Sequence, residues 1–312
     1  MIRRPDILFK RIIVTGANGL LGQALMARLS RFPEYDLLAT ARQPRAAFRN
    51  ASGGYQALDI TNPADVKRTF EDFTPDVVVN CAAMTQVDAC EDKKDACWRV
   101  NVDAVETLAR HCLIHGSHLI QVSTDFVFDG EAGPYRESAR PKPINFYGKS
   151  KLAGENAARG AGLDAWSIAR TVLVYGDGRG AVRSDFVRWV VRELSAGRPI
   201  RVVTDQYRTP TYVPDLADGI ERLVRFGKVG TYHLSGREHL SVFEFAQRIA
   251  VIFDLDDSLI TPVKTSDLSS PAARPLNSGF LILKAESELG YRPTPLDDSL
   301  ADLKTVLAAS PA

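Results

Sequence analysis

The sequence is poor in several features that mark specialised classes of protein. Only four of its 312 residues are cysteines, and no two of them form a C-x-x-C pair. We therefore expect free thiols and no disulfide framework. The N-terminus lacks the apolar stretch and small-residue cleavage site of a signal peptide, and no apolar run approaches the length that crosses a bilayer. These absences predict a cytoplasmic protein without membrane association.

The sequence also lacks an excess of charge of either sign, because 39 Lys and Arg balance 38 Asp and Glu, for a formal net charge of +1. This balance provides no long-range field for nucleic acid, so we expect no nucleic-acid partner. What the chain does contain, 45% hydrophobic and 25% charged residues, is ordinary for a globular protein with a sizeable core. Its length fits one large α/β domain or two closely joined ones.

One histidine-containing segment has the spacing of a possible metal site. His111 and His115 lie four residues apart, with Cys112 between them and His118 nearby, and helical histidines at this spacing can bind zinc. However, the segment is expected at a helix end just before a strand, where polar and cationic residues are ordinary. We therefore expect no metal centre here.

The first half of the chain alternates short apolar runs with helical stretches, the pattern of repeated βα units around a parallel sheet. The predicted strands are residues 11–15, 36–41, 55–58, 76–81, 118–123 and 166–175. From Gly176 onward glycines, prolines and arginines become frequent and the alternation is less regular. We predict an α/β fold with a Rossmann-type doubly wound parallel sheet over residues 1–175. A smaller, mostly C-terminal substrate-binding domain follows over 176–312, from which 213–226 returns to the first domain.

A glycine-rich loop lies at the exit of the first predicted strand. The string TGANGLLG spaces Gly16, Gly19 and Gly22 three residues apart, just before an amphipathic helix, with Asn18 among them. Glycine is needed for the tight turn, for close approach of a pyrophosphate, and for packing of the helix against the sheet. The helix N-terminus then faces the phosphates. This placement predicts a dinucleotide-binding loop.

The end of the second predicted strand bears on the choice of cofactor. A fold that prefers NAD usually presents an acid there to the ribose 2′-hydroxyl, but the segment reads ATAR without a carboxylate. Arg42 is instead suited to hold a 2′-phosphate. We therefore predict NADP(H) as the cofactor, with NADH as the alternative. The alternative for Arg42 itself is a solvated loop residue without a ligand.

A tyrosine–lysine pair supplies candidate acid–base chemistry. Of nine tyrosines only Tyr147 has a lysine, Lys151, four residues later, which on a helix places both side chains on one face. A nearby ammonium favours phenolate, so Lys151 would lower the pKa of Tyr147, and Tyr147 would protonate the alkoxide formed as hydride arrives. Thr124, at the end of the fifth strand, is the candidate to polarise the substrate carbonyl, with Ser123 as the alternative.

These motifs resemble the extended short-chain dehydrogenase/reductase superfamily. Longer strings resemble the dTDP-4-dehydrorhamnose reductase family in particular, and the resemblance covers nearly the whole chain. They are NCAAMTQVD at 80–88, STDFVFDG at 123–130, YGKSKLAGE at 147–155, DQYRTPT at 205–211 and RPLNS at 274–278. The resemblance implies NADP(H)-dependent reduction of a 4-keto sugar carried on a nucleoside diphosphate.

The resemblance also assigns roles by position. Thr124, Tyr147 and Lys151 become the catalytic group, and Thr124 and Asp125 meet the sugar. The residues assigned to the cofactor, together with those of the glycine loop, are Gly16, Asn18, Gly19, Leu20, Leu21, Gly22, Arg42, Asp59, Ile60, Ala82, Ala83, Met84, Thr85, Tyr147 and Lys151. Arg183, Arg208 and Arg274 are candidates to pair with the substrate diphosphate, since guanidinium matches phosphate geometry. Asn101 matches an asparagine common in the superfamily, with a helix-surface role as the alternative.

Two departures from the family pattern fall on the substrate side. Leu173 stands where the family has a tryptophan, and Arg208 stands where a glycine often follows D-Q-Y. We keep both as candidate substrate-binding residues, and they leave the exact sugar open. Whether Mg²⁺ bridges subunits, as in some relatives, is also open, and a homodimer is compatible with the sequence.

Other functions use the same fold. A dehydratase would resemble T-D-E at the strand end, where this chain has Phe126, and an epimerase tends to read S-S-x-x-V-Y-G there. The regulatory β subunit of methionine adenosyltransferase resembles the same family and keeps a comparable Tyr–Lys arrangement. A non-catalytic binding subunit therefore stays as an alternative, because a fold does not determine a function.

Overall fold

The computed structural model describes residues 9–48, 54–178 and 185–309. In these ranges the strands are β1 (Lys10–Thr15), β2 (Tyr35–Ala41), β3 (Gly54–Ala57), β4 (Val77–Asn80), β5 (His118–Thr124), β6 (Trp166–Thr171), β7 (Val174–Tyr175), β8 (Ile200–Val203), β9 (Tyr207–Arg208), β10 (Thr211–Tyr212), β11 (Gly230–His233), β12 (Leu240–Ser241) and β13 (Ile260–Val263).

The helices in the same ranges are α1 (Leu20–Leu29), α2 (Pro63–Phe73), α3 (Val87–Asp92), α4 (Lys94–Trp98), α5 (Ala104–His115), α6 (Phe146–Gly160), α7 (Phe186–Ser195), α8 (Val213–Phe226), α9 (Val242–Ile252), α10 (Leu283–Leu289) and α11 (Leu296–Ala308). A π-helical turn, Arg99–Asp103, leads into α5. No helix in the described part of the chain is long and apolar enough to cross a membrane.

Seven parallel strands form the central sheet in the order β3-β2-β1-β4-β5-β6-β11. The first six follow the strand order of the dinucleotide-binding fold, so the predicted Rossmann-type doubly wound sheet is confirmed. The order reverses between β1 and β4. Ligands bind at such a switch point, outside the carboxyl ends of the strands.

Two apolar layers cover the sheet because successive side chains of a strand point to opposite faces. Ile12 and Val14 of β1 lie in one buried cluster with residues of α1 and α8. Ile13, between them, lies in a second cluster with residues of α2 and α5. Burying a side chain of this size contributes roughly 1.5–3 kcal/mol, so the alternation alone holds helices on both faces.

The C-terminal half contributes to the sheet and also forms a cluster of its own. Helix α8, which is the segment 213–226, packs on α1, where Arg28 lies 2.5 Å from Asp218, and β11 follows it at the sheet edge. A third apolar cluster gathers residues of α7, α9 and α11 around Phe245 and Leu300. The substrate-binding role predicted for this portion stays a proposal.

The predicted strands agree with the observed ones to within one residue at each end, apart from the sixth. The prediction of one strand over 166–175 is wrong, because β6 ends at Thr171 and β7 pairs with β10 in a separate two-stranded sheet. The chain turns at Leu173, whose φ of +42° lies in the left-handed region. A continuous apolar run conceals such a break, because the conformation is imposed by tertiary contacts.

Candidate active site

The glycine loop joins β1 to α1 at the switch point. Gly16 has a φ of +63°, and a Cβ there would lie 2.7 Å from the backbone nitrogen of Ala82. A Cβ on Gly22 would lie 2.4 Å from the carbonyl oxygen of Gly16, so both positions require glycine. Gly19 is exposed and caps α1 without a side-chain hydrogen bond, and no acidic residue lies in the first turn. The free N–H groups of this helix end, with Leu20 and Leu21 partly exposed beside them, suit the phosphates of a dinucleotide.

Asn18 ties this loop to the segment after β2. Its amide oxygen accepts a hydrogen bond from the backbone N–H of Ala47 at 2.8 Å, and its amide nitrogen donates to the carbonyl of Arg45 at 3.0 Å and to the Tyr55 hydroxyl at 3.2 Å. Asn18 therefore joins the glycine loop to the segment that follows β2. Arg42, at the end of β2, is exposed to solvent.

After β3, Asp59 and Ile60 line the same edge of the sheet. The Asp59 carboxylate accepts hydrogen bonds from the backbone N–H of Thr61 at 2.9 Å and from its hydroxyl at 2.8 Å. Ile60 is buried. The sequence predicts both against the cofactor, and the structure places the two residues beside the end of β2.

The segment after β4 is held from two sides. Thr15 donates to Asn80 at 2.5 Å and accepts from the backbone N–H of Ala82 at 3.3 Å. Asn101, in the π-helical turn, brackets the backbone of Met84. Its amide oxygen accepts from the N–H at 2.9 Å, and its amide nitrogen donates to the C=O at 3.0 Å. The helix-surface role considered for Asn101 is wrong, because the side chain is only 2% exposed. The bracket leaves Ala82, Ala83, Met84 and Thr85 at least partly exposed at the sheet edge.

The tyrosine–lysine pair lies on α6, as the spacing predicts. Asn145 caps this helix by accepting the N–H of Gly148 at 2.7 Å. Tyr147 is buried, and the ring of Phe126 meets its ring edge-on at 5.7 Å between centroids. Lys151 donates to the carbonyl oxygen of Val122 at 2.7 Å, so the helix and the end of β5 are joined through the lysine.

The electrostatics of the pair differ from the expectation. Burial raises the pKa of Tyr147. Burial lowers the pKa of Lys151 to about 8, against an opposing effect of Glu155. The predicted lowering of the Tyr147 pKa by Lys151 is therefore wrong, because burial raises this pKa and keeps the phenol protonated. In this state Tyr147 is a proton donor.

Glu155 is a site residue that sequence reasoning missed. It lies one turn after Lys151 on α6 and is fully buried. Arg170 of β6 grips its carboxylate with two bonds, at 2.8 and 2.7 Å, and Arg159 adds a third at 2.6 Å. Burial would raise the pKa of Glu155, but the two arginines outweigh burial and hold it below its usual range. The signal that could have identified Glu155 from the sequence is its place as the final residue of the string YGKSKLAGE.

Thr124 and Asp125 lie at the end of β5, next to Tyr147. The Thr124 hydroxyl donates to Asp125 Oδ1 at 3.1 Å. Asp125 is only 2% exposed, and its Oδ2 accepts from the Ser278 hydroxyl. Burial raises the pKa of Asp125, while Arg208, Ser278 and Thr124 oppose the rise. Asp125 therefore presents little surface to a sugar.

The arginines suggested for a substrate diphosphate lie in different environments. Arg208 is buried, with its Nε 3.4 Å from Asp125 Oδ2. Arg274 forms a two-bond ion pair with Asp88, both at 2.7 Å, which lowers the pKa of that carboxyl. Arg183 lies outside the described residues. Leu173 is partly exposed between the first and third apolar clusters.

The histidines considered for zinc make packing contacts. The rings of His111 and His115 lie 5.4 and 5.6 Å from the ring of Phe70. His118 contacts the Ser167 hydroxyl at 2.7 Å, and burial lowers its pKa to about 4. Within the described ranges no three His, Cys, Asp or Glu side chains are grouped to hold a metal ion. The cysteines of the described ranges, including Cys112, form no disulfide with one another.

Comparisons with known proteins identify the family of the chain. The family model described as the RmlD substrate binding domain matches residues 10–308. The dTDP-4-dehydrorhamnose reductase of Mycobacterium tuberculosis is 36% identical over 307 residues, covering 96% of this chain and 93% of that protein. Methionine adenosyltransferase 2 subunit beta of Pongo abelii is 33% identical over 283 residues, covering 89% and 82%.

Solved structures of similar proteins point to the same family. A crystal structure of dTDP-4-dehydrorhamnose reductase from Bacillus anthracis in complex with NADP has a TM-score of 0.85 and 32% identity, and covers 96% of this chain and 99% of that one. The resemblance read from the motifs is thereby confirmed. The chain belongs to the dTDP-4-dehydrorhamnose reductase family that the RmlD substrate binding domain describes.

Proposed function

We propose that this protein is an NADP(H)-dependent reductase of a 4-keto sugar carried on a nucleoside diphosphate. The observation that carries the proposal is the meeting of three elements at one sheet edge. These are the glycine loop after β1, Thr124 at the end of β5, and the Tyr147–Lys151 face of α6. Relatives named dTDP-4-dehydrorhamnose reductase, one of them solved with NADP, support it.

The chain's own residues account for binding and proton transfer. The uncapped first turn of α1 would hold the pyrophosphate, and the segment 82–85 would lie against the nicotinamide side. NADPH supplies the hydride when bound. Tyr147 would donate its phenolic proton to the carbonyl oxygen as negative charge develops there. Lys151, protonated below a pH of about 8, would hydrogen-bond the ribose and favour the phenolate left behind.

The preference for NADPH over NADH rests on Arg42. It is exposed at the end of β2, beside a loop that Asn18 holds in place, and the end of β2 carries no acid. A guanidinium there suits a 2′-phosphate. NADH stays the alternative cofactor.

Substrate binding is assigned to the C-terminal portion, 176–312, over the carboxyl ends of the strands. Leu173 would border the sugar, and Arg274, which pairs with Asp88 of α3, stays the candidate to face the diphosphate. The domain division predicted from the sequence, with 213–226 belonging to the nucleotide-binding part, is proposed on the same grounds.

The test is a screen of nucleotide-linked 4-keto sugars with NADPH consumption as the measurement. Wild type should consume NADPH stoichiometrically with the sugar, whereas an epimerase would not. Tyr147→Phe removes the donor and keeps the ring packing, so turnover should be lost while NADPH binding is retained. Full activity in that variant would refute the mechanism.

A second function is favoured by one observation. The subunit beta of methionine adenosyltransferase 2 from Pongo abelii is 33% identical over 89% of this chain. A regulatory subunit would bind a partner enzyme and show no turnover. Isolation of the protein from native extract, with turnover assayed in parallel, separates the two functions.

A further inference from the structure

The guanidinium of Arg208 has no donor left for a ligand. Its Nε faces Asp125, and its remaining four N–H groups are taken by oxygen atoms of the protein itself. Nη1 donates to the carbonyls of Tyr207 at 2.7 Å and Leu276 at 3.3 Å, and Nη2 to the carbonyl of Pro275 at 2.7 Å and to Gln206 at 3.4 Å. An arginine offers five N–H donors. All five are directed at protein atoms, and the residue is only 4% exposed, so Arg208 is not placed to bind a diphosphate.

What Arg208 does face is the carboxylate of Asp125. The 3.4 Å between Nε and Oδ2 is a buried ion pair. Ser278 donates to the same Oδ2, and Thr124 donates to Oδ1. A buried carboxylate is stable as an anion only when opposite charge and donors surround it. Arg208 provides the charge, and Ser278 and Thr124 provide the donors.

This arrangement determines the direction of the Thr124 hydroxyl hydrogen. An ionised carboxylate only accepts, so the one hydrogen of Thr124 is directed to Asp125. The Thr124 oxygen already accepts the backbone N–H of Phe126 at 3.3 Å. Thr124 therefore has no hydrogen left for a substrate carbonyl, and of the two hydroxyls only that of Tyr147 has a hydrogen to give.

We propose that Arg208 is a positioning residue that keeps Asp125 ionised, so that the hydroxyl hydrogen of Thr124 stays directed to Asp125 and Tyr147 is the proton donor to the substrate. The inference rests on the proposed reductase function and deepens it, because it assigns Arg208 to the catalytic proton rather than to the substrate. Arg208 and Ser278 both come from the C-terminal portion, which thus helps to set the protonation of the site.

The charged and titratable groups around Asp125 define the expected pH dependence. Of the described residues, Arg208 from β9 and Tyr147 from α6 face it, and Arg274 in turn faces Arg208. Activity requires the ionised form of Asp125 and is lost as pH falls through its pKa. Removing an opposite charge at this distance raises a carboxyl pKa by about 1–3 units. The acid limb of the kcat profile should move to higher pH by that amount.

The first experiment compares the kcat and KM of wild type, Arg208→Met and Arg208→Lys across pH. For Arg208→Met we expect kcat to fall about tenfold at neutral pH and to recover at higher pH, with KM nearly unchanged. Arg208→Lys keeps the positive charge but loses the forked guanidinium. The acid limb of its kcat profile should therefore lie at the wild-type pH even if its stability is lower. Arg248→Met removes an arginine from an exposed ion pair on α9 and serves as the control. A raised KM with unchanged kcat in Arg208→Met would overturn the proposal in favour of a substrate contact.

A second variant, Asp125→Asn, tests the proposal even if Arg208→Met does not fold. Asp125→Asn is neutral at every pH, so it should lower kcat and abolish the acid limb. The double variant should be no slower than Asp125→Asn alone, because Arg208 acts through Asp125. Multiplied losses in the double variant, or a wild-type kcat and acid limb in Asp125→Asn, would each overturn the proposal.

An infrared measurement separates this proposal from the proposed function. The carboxylic-acid C=O band of Asp125 is identified as the band that Asp125→Asn removes. It should be absent from wild type at neutral pH and present in Arg208→Met, or in Arg208→Lys at lower pH if the methionine variant does not fold. If wild type turns over no keto sugar, the reductase assignment fails, yet the band still reports on Asp125. Absence of the band from the Arg208 variants, or its presence in wild type, would overturn the role of Arg208.

Discussion

Gly22→Ala is expected to weaken binding of the cofactor without unfolding the protein. Gly22 lies in the first turn of α1, where the helix crosses the glycine loop. An added Cβ would lie 2.4 Å from the carbonyl oxygen of Gly16 and 2.6 Å from the Cα of Ala17. Both neighbours are backbone atoms, which cannot rotate away as a side chain can. The loop and the helix must therefore separate.

The magnitude follows from the size of the intrusion. Forcing one methyl group into a well-packed site typically costs about 1–3 kcal/mol. If the loop absorbs the displacement, the N–H groups that would meet the pyrophosphate move by the same step. Since about 1.4 kcal/mol is a factor of ten in affinity, the Kd for NADPH should rise about 5- to 150-fold.

The assay is a fluorescence titration of NADPH, with thermal unfolding measured on the same samples. Gly160→Ala is the matched control, because Gly160 ends α6 and a Cβ there would meet nothing within 4 Å. That variant should bind NADPH as wild type does and be as stable or slightly more stable. Wild-type NADPH affinity in Gly22→Ala would refute the contact between the loop and the helix as the reason for glycine.

Three further predictions concern the same site. Arg42→Ala should raise the KM for NADPH about tenfold and leave the KM for NADH unchanged. The control is Arg31→Ala, which removes an exposed arginine at the far end of α1 and should change neither KM. An equal change for both cofactors would count against Arg42. Glu155→Gln leaves the buried Arg170 without its counter-charge and should lower the free energy of unfolding in urea by about 3–5 kcal/mol; a loss below about 1 kcal/mol would contradict this. Because Lys151 acts as its cation and burial lowers its pKa to about 8, kcat/KM should fall as pH rises through that value, and a profile that stays flat well above it would exclude the role.

Much of the fold was predictable because its signals are local. The strands of the first half are short apolar runs, and each reads directly as a strand buried on both faces. The glycine loop and the Tyr147–Lys151 spacing are also local, so their placement at one sheet edge followed from the carboxyl-end rule for parallel strands. Local periodicity could not reveal the turn at Leu173, since its positive φ depends on the neighbouring backbone, where Leu173 accepts the N–H of Thr211 at 3.2 Å.

The roles of individual polar residues were harder to predict than their presence. The sequence suggests Arg208 as a substrate contact, yet besides its neighbours Gln206 and Tyr207 its partners are Asp125 and residues 275–276, which are distant in the chain. Asn101 was ambiguous for the same reason, because the backbone of Met84 that it brackets lies 17 residues earlier. Residue type tells what a side chain can bond to, and only the tertiary fold decides which partner is present.

The two halves of the catalytic group share one mode of support. Lys151 has the buried pair Glu155–Arg170 one helical turn behind it, and Thr124 donates to the buried pair Asp125–Arg208. Buried ion pairs are weak sources of stability, because desolvation of both charges offsets most of their attraction. Two such pairs directly behind a proton-transfer group are therefore better explained by the need for fixed charges and fixed hydrogen positions. On this view, replacing either pair with apolar residues of similar volume should spare stability more than it spares turnover.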